Sequence, residues 1–561
     1  MTSSIIYDRQ YEQGKNICTV KRRTDTAGED IPADEKGEAV CFGCFSCCDH
    51  QEHEKGGRRM VKKISVLALA GLLTVPAMAM ASAGPNAADL EKKVEELSRQ
   101  LDELKAALDS QKEVSNKLSD TVGDLDERSA DWDLAARIKF FGDFRSRLDY
   151  YSADTVFGRD LDNDTLWTNR FRLNMRVNAT ENVEFKGRLA MFKTWGNQSA
   201  FTDESGAMWP VFDGNVARTP AEDSALYVDR AYVNWANIAG QPMWFSIGRR
   251  PTTDGPPTQF RTGIDGDATP MAFMNWPFDG LTLGYAWTWG PETMGDSRLR
   301  FCYGRGFEAG LLDDSAPGSI DDMDFAGFSW DVMKKDDMFA YVQVFNAFNA
   351  FNYPNFQDPV INSQFGNMSG LGERENLGDI LHTSAVFENK VANFNYFLAG
   401  GWSRTNPDAD GMFNDYAAMA AGLAGPNTDE ENGYSVYAGV RYDMDNIGLK
   451  LGAEFNYGSE FWLAMSPGHD DIYQSKLATR GQVYEIYGLY DLPTGEMISR
   501  YAKTFIRLGY QHYEYDYSGS GDWNMAAYDL SNGGDLMKLG MMGLDPVEDA
   551  DQIYLTFEAF F

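Results

Sequence analysis

The last ten residues, Gln552 to Phe561 (QIYLTFEAFF), constrain the fold most tightly. Ile553, Leu555, Phe557, Ala559 and Phe561 form one alternating set, all apolar. Gln552, Tyr554, Thr556, Glu558 and Phe560 form the other, which is largely polar. A period of two means a β-strand with one greasy and one wet face. This strand stops on an aromatic at the chain terminus, and the rest of the chain has to be compatible with it.

Composition narrows the class. Mean hydropathy is −0.42 and the only long apolar run lies near the start, which excludes spanning α-helices. Alternating barrel strands, however, average out in any hydropathy window. An aromatic content of 13%, with 54 glycines and 27 tyrosines, suits a β-rich protein with an aromatic belt. A formal charge of −34 argues against a nucleic-acid partner. A disordered chain of that charge would be poor in aromatics.

Lys62 and Lys63 precede an apolar core from Ile64 to Val75, then Pro76 and a small-residue series ending Ala81-Ser82-Ala83. A basic n-region, a short h-region and an A-x-A site read as a secretory signal peptide over residues 60–83. Signal peptides begin within a few residues of the initiator, so Met60 is the expected start. Gly56-Gly57-Arg58-Arg59 is what a purine-rich ribosome-binding site would encode, so residues 1–59 read as a spurious or non-structured extension. The rival reading is a genuine cytoplasmic domain ahead of a signal anchor. Five of the six cysteines (Cys18, Cys41, Cys44, Cys47, Cys48) fall in this leader. Their spacing has the look of a metal motif without strand or helix context around it. Residues 1–83 hold 11 basic and 11 acidic residues, so the exported part keeps the whole charge of −34.

After the cleavage site, apolar residues recur in steps of four and three: Leu90, Val94, Leu97, Leu101, Leu104, Leu108, Leu118, Val122 and Leu125. Gln111 and Ser115 fill the gap in register. This spacing predicts a coiled coil within residues 84–131, about 50 Å long at 1.5 Å per residue. A single helix folded onto a barrel mouth would carry the same pattern.

From Ala136 onward the period changes to two. The strand pattern covers 136–150, 166–179, 183–194, 225–237, 243–250, 279–289, 297–305 and 321–332. It continues over 338–348, 378–388, 393–403, 433–444, 449–458, 481–492, 500–513 and 551–561. Sixteen is an even number, as a barrel with both termini on one side requires. Connections such as 180–182, 238–242, 389–392 and 445–448 are short; 195–224, 251–277, 349–377 and 404–432 are long. Short periplasmic turns and long outer loops are the expected asymmetry. The fold class is therefore an all-β transmembrane barrel of about sixteen antiparallel strands over residues 132–561, preceded by a helical coiled coil.

Placing Arg or Lys on a lipid face costs roughly 2–4 kcal/mol near the midplane. The face carrying Arg137, Lys139, Arg145, Arg147, Arg170, Arg172 and Arg176 must therefore line water. Lys186, Arg188, Arg230 and Arg250 extend it into a basic wall, and rings of such residues favour anions. The bland alternative is that each arginine is lumen-solvated with an Asp or Glu neighbour. Asp160-x-Asp162-x-Asp164 starts like a calcium loop but lacks the later Gly and Glu, and reads as a solvated outer loop. Cys302 falls on an apolar strand face and reads as inert. No metal-ligand spacing joins His382, His469 and His512; neither a cofactor nor catalysis is indicated.

Several resemblances add to this reading. The terminal strand resembles the closing strand of bacterial outer-membrane barrels, which would make Phe561, with Phe557 and Leu555, an assembly signal for the barrel assembly machinery. The stretch from Gly248 through Asp254, Asp265 and Asp267 resembles the third loop of porins, which folds inward; its acidic residues would then face the basic wall. The exported part, with KFFGDFRSRLDYYS opening the barrel, resembles outer-membrane porins grouped as a domain-of-unknown-function family. That resemblance implies a homotrimer in outer-membrane lipid, with the helix at the periplasmic side. Two functions follow as expectations: a passive channel for small polar, anionic solutes, or a structural scaffold that tethers the envelope or docks a periplasmic partner through its coiled coil.

Overall fold

Sixteen antiparallel strands close into one barrel, the last pairing with the first. The computed structural model describes residues 5–12, 15–22, 87–195, 226–250, 255–262, 273–274, 278–290, 293–310, 320–352, 375–466, 471, 475–493 and 503–561. The signal segment 60–83, the cysteines from Cys41 to Cys48, His469 and the loop residues Asp254, Asp265 and Asp267 lie outside the described residues.

The chain divides into two compact units, residues 1–116 and 117–561. In the first, strands β1 (Ile5–Glu12) and β2 (Lys15–Arg22) pair as an antiparallel hairpin. Helix α1 spans Ala87–Arg137, about 77 Å at 1.5 Å per residue. It outruns the heptads because Ala135-Ala136 are strong helix formers. Val94, Leu97, Leu101, Leu104, Leu108, Leu118 and Val122 stand exposed along it.

The barrel strands are β3 (Ile138–Thr155), β4 (Asp160–Asn178), β5 (Val183–Thr194) and β6 (Tyr227–Ala236). Next come β7 (Met243–Arg250), β8 (Phe278–Gly290), β9 (Gly295–Phe307) and β10 (Met323–Lys335). Then follow β11 (Met338–Phe351), β12 (Asn376–Val391), β13 (Phe394–Pro407) and β14 (Asn432–Met444). β15 (Leu449–Gly458), β16 (Gly481–Asp491), β17 (Lys503–Tyr515) and β18 (Val547–Phe560) complete the ring. Among the described residues, three short α-helices occupy loops: α2 (Gln259–Thr262), α3 (Tyr416–Ala420) and α4 (Gly533–Met542).

All sixteen expected strands are present, and several are longer than the apolar alternation suggests. β3 and β4 run on to meet in a tight turn at 156–159, so Asp160, Asp162 and Asp164 lie on a strand, not in a loop. There the ladder continues on backbone bonds, with Ser152 Oγ donating to Asp162 Oδ1 at 2.7 Å, and needs no apolar outward residues. At the opposite end the turns are tight. Thr180 Oγ1 accepts from the amides of Asn182 and Val183. Gly448 takes φ 68°, a left-handed conformation that favours glycine.

Burial alternates along most of the strands. On β18, Ile553, Leu555 and Phe557 are exposed outward at 44–46%, while Tyr554, Thr556 and Glu558 are at most 1% exposed inside. Leu398, Ile486, Leu508 and Ile247 continue the outward apolar surface. An outward greasy face and an inward charged one suit lipid outside and water within.

Candidate functional site: the charged lumen

Strand register builds the basic wall. β18, β3 and β4 align Glu558, Arg145 and Arg170 in one row, with Asp143 and Arg172 in the next. Arg170 Nη2 donates to Asp143 Oδ2 at 3.2 Å and to Glu558 Oε2 at 3.4 Å; Arg172 Nε donates to Asp143 Oδ1 at 2.8 Å. Arg147 Nε donates to Asp149 at 2.9 Å, and its guanidinium lies 4.6 Å from the centre of the Tyr554 ring. Arg176 and Lys186 pair with Glu184 at 3.0 and 3.2 Å. Arg188 and Arg230 share Asp229. These cations share the barrel's inward face and are interleaved with carboxylates. Such pairing is favourable only because desolvated charges find close, hydrogen-bonded partners.

Three residues of the expected wall differ from the rest. Arg137 is the last residue of α1 and lies on no barrel strand, because β-forming residues begin only at Ile138. Lys139 is exposed at the start of β3. Arg250, half-buried at the end of β7, has a buried Nε without a hydrogen-bond partner among the described residues.

Residues 259–262 of the loop between β7 and β8 lie against the opposite wall of the barrel. β14 and β16 each stand seven strands round the ring from β7, on its far side. The loop's helix α2 nevertheless bonds with that side. Arg261 Nη1 donates to Asp471 at 2.8 Å and to Glu485 on β16 at 3.3 Å. Arg441 on β14 donates to the carbonyls of Gln259 and Phe260 at 3.1 and 2.9 Å. Gln259 Nε2 donates to Glu388 on β12 at 2.8 Å, and Phe260 packs edge-on to Phe397, 5.0 Å between centroids.

A second inward loop, between β15 and β16, supplies Lys476, which pairs with both Glu454 and Glu485. Arg507 on β17 links the two systems, donating to Glu558 at 3.2 Å and to the Arg261 carbonyl at 3.3 Å. Arg480, fully buried, donates to the carbonyls of Trp462, Ser518 and Asp522, tying three loop segments together.

The inward face is not wet all the way round. On β10 to β12, Phe325, Phe345 and Ile380 point inward and are buried under loop residues Met274, Phe413, Leu463, Met465 and Trp523. Loops from the long-connection end thus make a dry core against one sector and leave the charged sector at β3–β6 across from it. Sequence periodicity missed this core, since inward apolar residues blur the alternation. Glu485 and Arg507 had the right strand parity to be found. Arg261, Lys476, Asp471 and Arg480 lie in loops with no period to reveal them. Cys302, expected on an apolar face, faces inward instead, with Thr282 Oγ1 donating to its sulfur at 3.3 Å. It shares that face with Arg300.

A closed sixteen-stranded barrel with a charged lumen and an inward loop defines a porin-like protein. By its sequence from residue 160 to 561, the chain belongs to a family described as protein of unknown function, DUF3373. No curated protein matches it. Among solved structures it is similar to OmpT, an outer membrane protein of Vibrio cholerae, at 9% identity and TM-score 0.37, covering 76% of this chain and 97% of that one. It is also similar to OmpF of Salmonella typhi, solved with daunomycin, at 10% identity and TM-score 0.37, covering 75% and 97%. An anion-selective porin from Comamonas acidovorans gives 10% identity and TM-score 0.39, covering 76% and 99%.

Proposed function

We propose that the chain is a passive outer-membrane channel for small polar, anionic solutes, exported through the signal peptide at 60–83 and assembled as a homotrimer. The charge balance of the β3–β6 sector carries this reading. Eight inward cations (Arg145, Arg147, Arg170, Arg172, Arg176, Lys186, Arg188, Arg230) stand there against four carboxylates (Asp143, Asp149, Glu184, Asp229), with Glu558 of the adjoining β18 as a fifth. The excess is positive although the whole chain is acidic. Water beside such a wall concentrates anions. The exposed apolar stripe of α1 supports self-association, since a coiled coil would bury it.

The dry core under the loops favours a second reading, a scaffold barrel whose α1 docks an envelope partner. Single-channel recording from purified protein separates the two. Discrete conductance steps support the channel; intact, folded barrels that insert without any conductance support the scaffold.

A further inference from the structure

The lumen wall between β7 and β11 holds a recess of about 90 Å³. It exists because β8, β9 and β10 present glycine where their neighbours present side chains: Gly280 pairs with Gly304, and Gly327 follows on the next strand. By volume it takes roughly six waters or a molecule of about six heavy atoms.

Arg250 lines this recess. Among the described residues no carboxylate pairs with it, and its buried Nε has no hydrogen-bond partner. Arg300 differs, because Asp331 and Ser329 already bind its guanidinium. A half-buried guanidinium without a counter-charge is costly to keep and selects an anionic ligand. The remaining lining is mixed. Met274, Phe325 and Phe345 offer apolar contact, whereas Thr282 and Gln343 offer hydroxyl and amide groups.

We propose that this recess is a binding subsite for a small monocarboxylate with a short apolar tail, its carboxylate on Arg250 and its tail against Met274, Phe325 and Phe345. It deepens the channel reading by naming a solute class, and it rests on that reading for access from the lumen. The basic wall at β3–β6 differs, because Arg170, Arg172 and Arg188 there are each bridged by a carboxylate.

Cys302 reports on the site, since it lines the same recess and is partly exposed. Folded full-length protein is treated with sulfonatoethyl or aminoethyl methanethiosulfonate, reagents of similar size and opposite charge. The thiolate attacks the reagent's sulfenyl sulfur and releases methanesulfinate, and mass spectrometry of the Cys302 peptide gives each rate. With each rate taken relative to that reagent's rate on a free small thiol, the anionic reagent should react about tenfold faster than the cationic one. Arg250→Gln should abolish that preference and Arg250→Lys retain it. Butyrate should slow labelling of the unaltered protein, whereas butyramide should not, a comparison that needs no variant to fold. Equal rates for the two reagents, or equal protection by butyrate and butyramide, would overturn the subsite. A barrel that shows the preference yet never conducts keeps the site and loses the channel; an open channel with equal rates does the reverse.

Discussion

Gly142 and Phe561 exchange both backbone hydrogen bonds, Gly142 N to Phe561 O at 2.8 Å and Phe561 N to Gly142 O at 3.0 Å. The terminal residue is thus the last rung of the ladder that seals the cylinder. A Cβ at 142 would lie 2.5 Å from the Arg172 carbonyl oxygen and 2.8 Å from the Phe561 ring, so only glycine fits beneath that ring. Gly142→Leu and deletion of Phe561 should both lower the amount of heat-modifiable barrel in membranes. The barrels that do assemble should conduct normally, because neither change touches the lumen.

Arg170 bridges Asp143 and Glu558 across three strands. Arg170→Ala leaves buried carboxylates short of a partner and should cost about 3–5 kcal/mol. Arg170→Ala combined with Glu558→Gln should recover part of that loss. Thermal unfolding in detergent measures both, and equal melting temperatures for the single and double variants would refute the coupling.

Arg261 anchors the β7–β8 loop through Asp471 and Glu485. Arg261→Met should release α2 from the far wall and raise single-channel conductance. An unchanged conductance would mean that Arg441, which holds the Gln259 and Phe260 carbonyls, suffices.

The β13–β14 and β17–β18 loops carry a pH-dependent clasp. Burial alone would raise the Asp415 carboxyl, but bonds from Lys538, the Ala418 amide and Tyr528 outweigh it and hold the group below its ordinary 3.8. A depressed carboxylate adds stability above its unfolded pKa, and that stability is lost as pH falls through the folded value. Lys538, bonded to Asp415 and Asp535, is raised above 10.5; its contribution is complete below 10.5 and is lost as pH rises past the folded value. Amide protection of α4, corrected for intrinsic exchange, should therefore be flat between pH 3.8 and 10.5 and decline outside that window.

How much of this was legible in the sequence depends on what each residue touches. Lipid contact forces strict alternation, so Leu555, Phe557 and their counterparts on all sixteen strands could be read directly. The inward arginines were legible for the same reason, because lipid excludes them. Their partners were less so: Asp143 and Glu558 showed the right parity, but only register brings them beside Arg170. Loop residues such as Arg261, Lys476 and Arg480 obey no period, and their places are set by tertiary contacts alone. Strand ends beyond the bilayer, as at Asp160 or Asp549, lose the apolar signal while keeping the ladder.

The channel reading requires an aqueous lumen flanked by a β3–β6 sector of net positive charge. The most direct measurement is the reversal potential of the unaltered protein in a planar bilayer under a potassium chloride gradient, repeated with Arg170→Ala plus Arg172→Ala. Anion selectivity that weakens in the double variant is the expected result. Clear cation selectivity, unchanged by the double substitution, would contradict it.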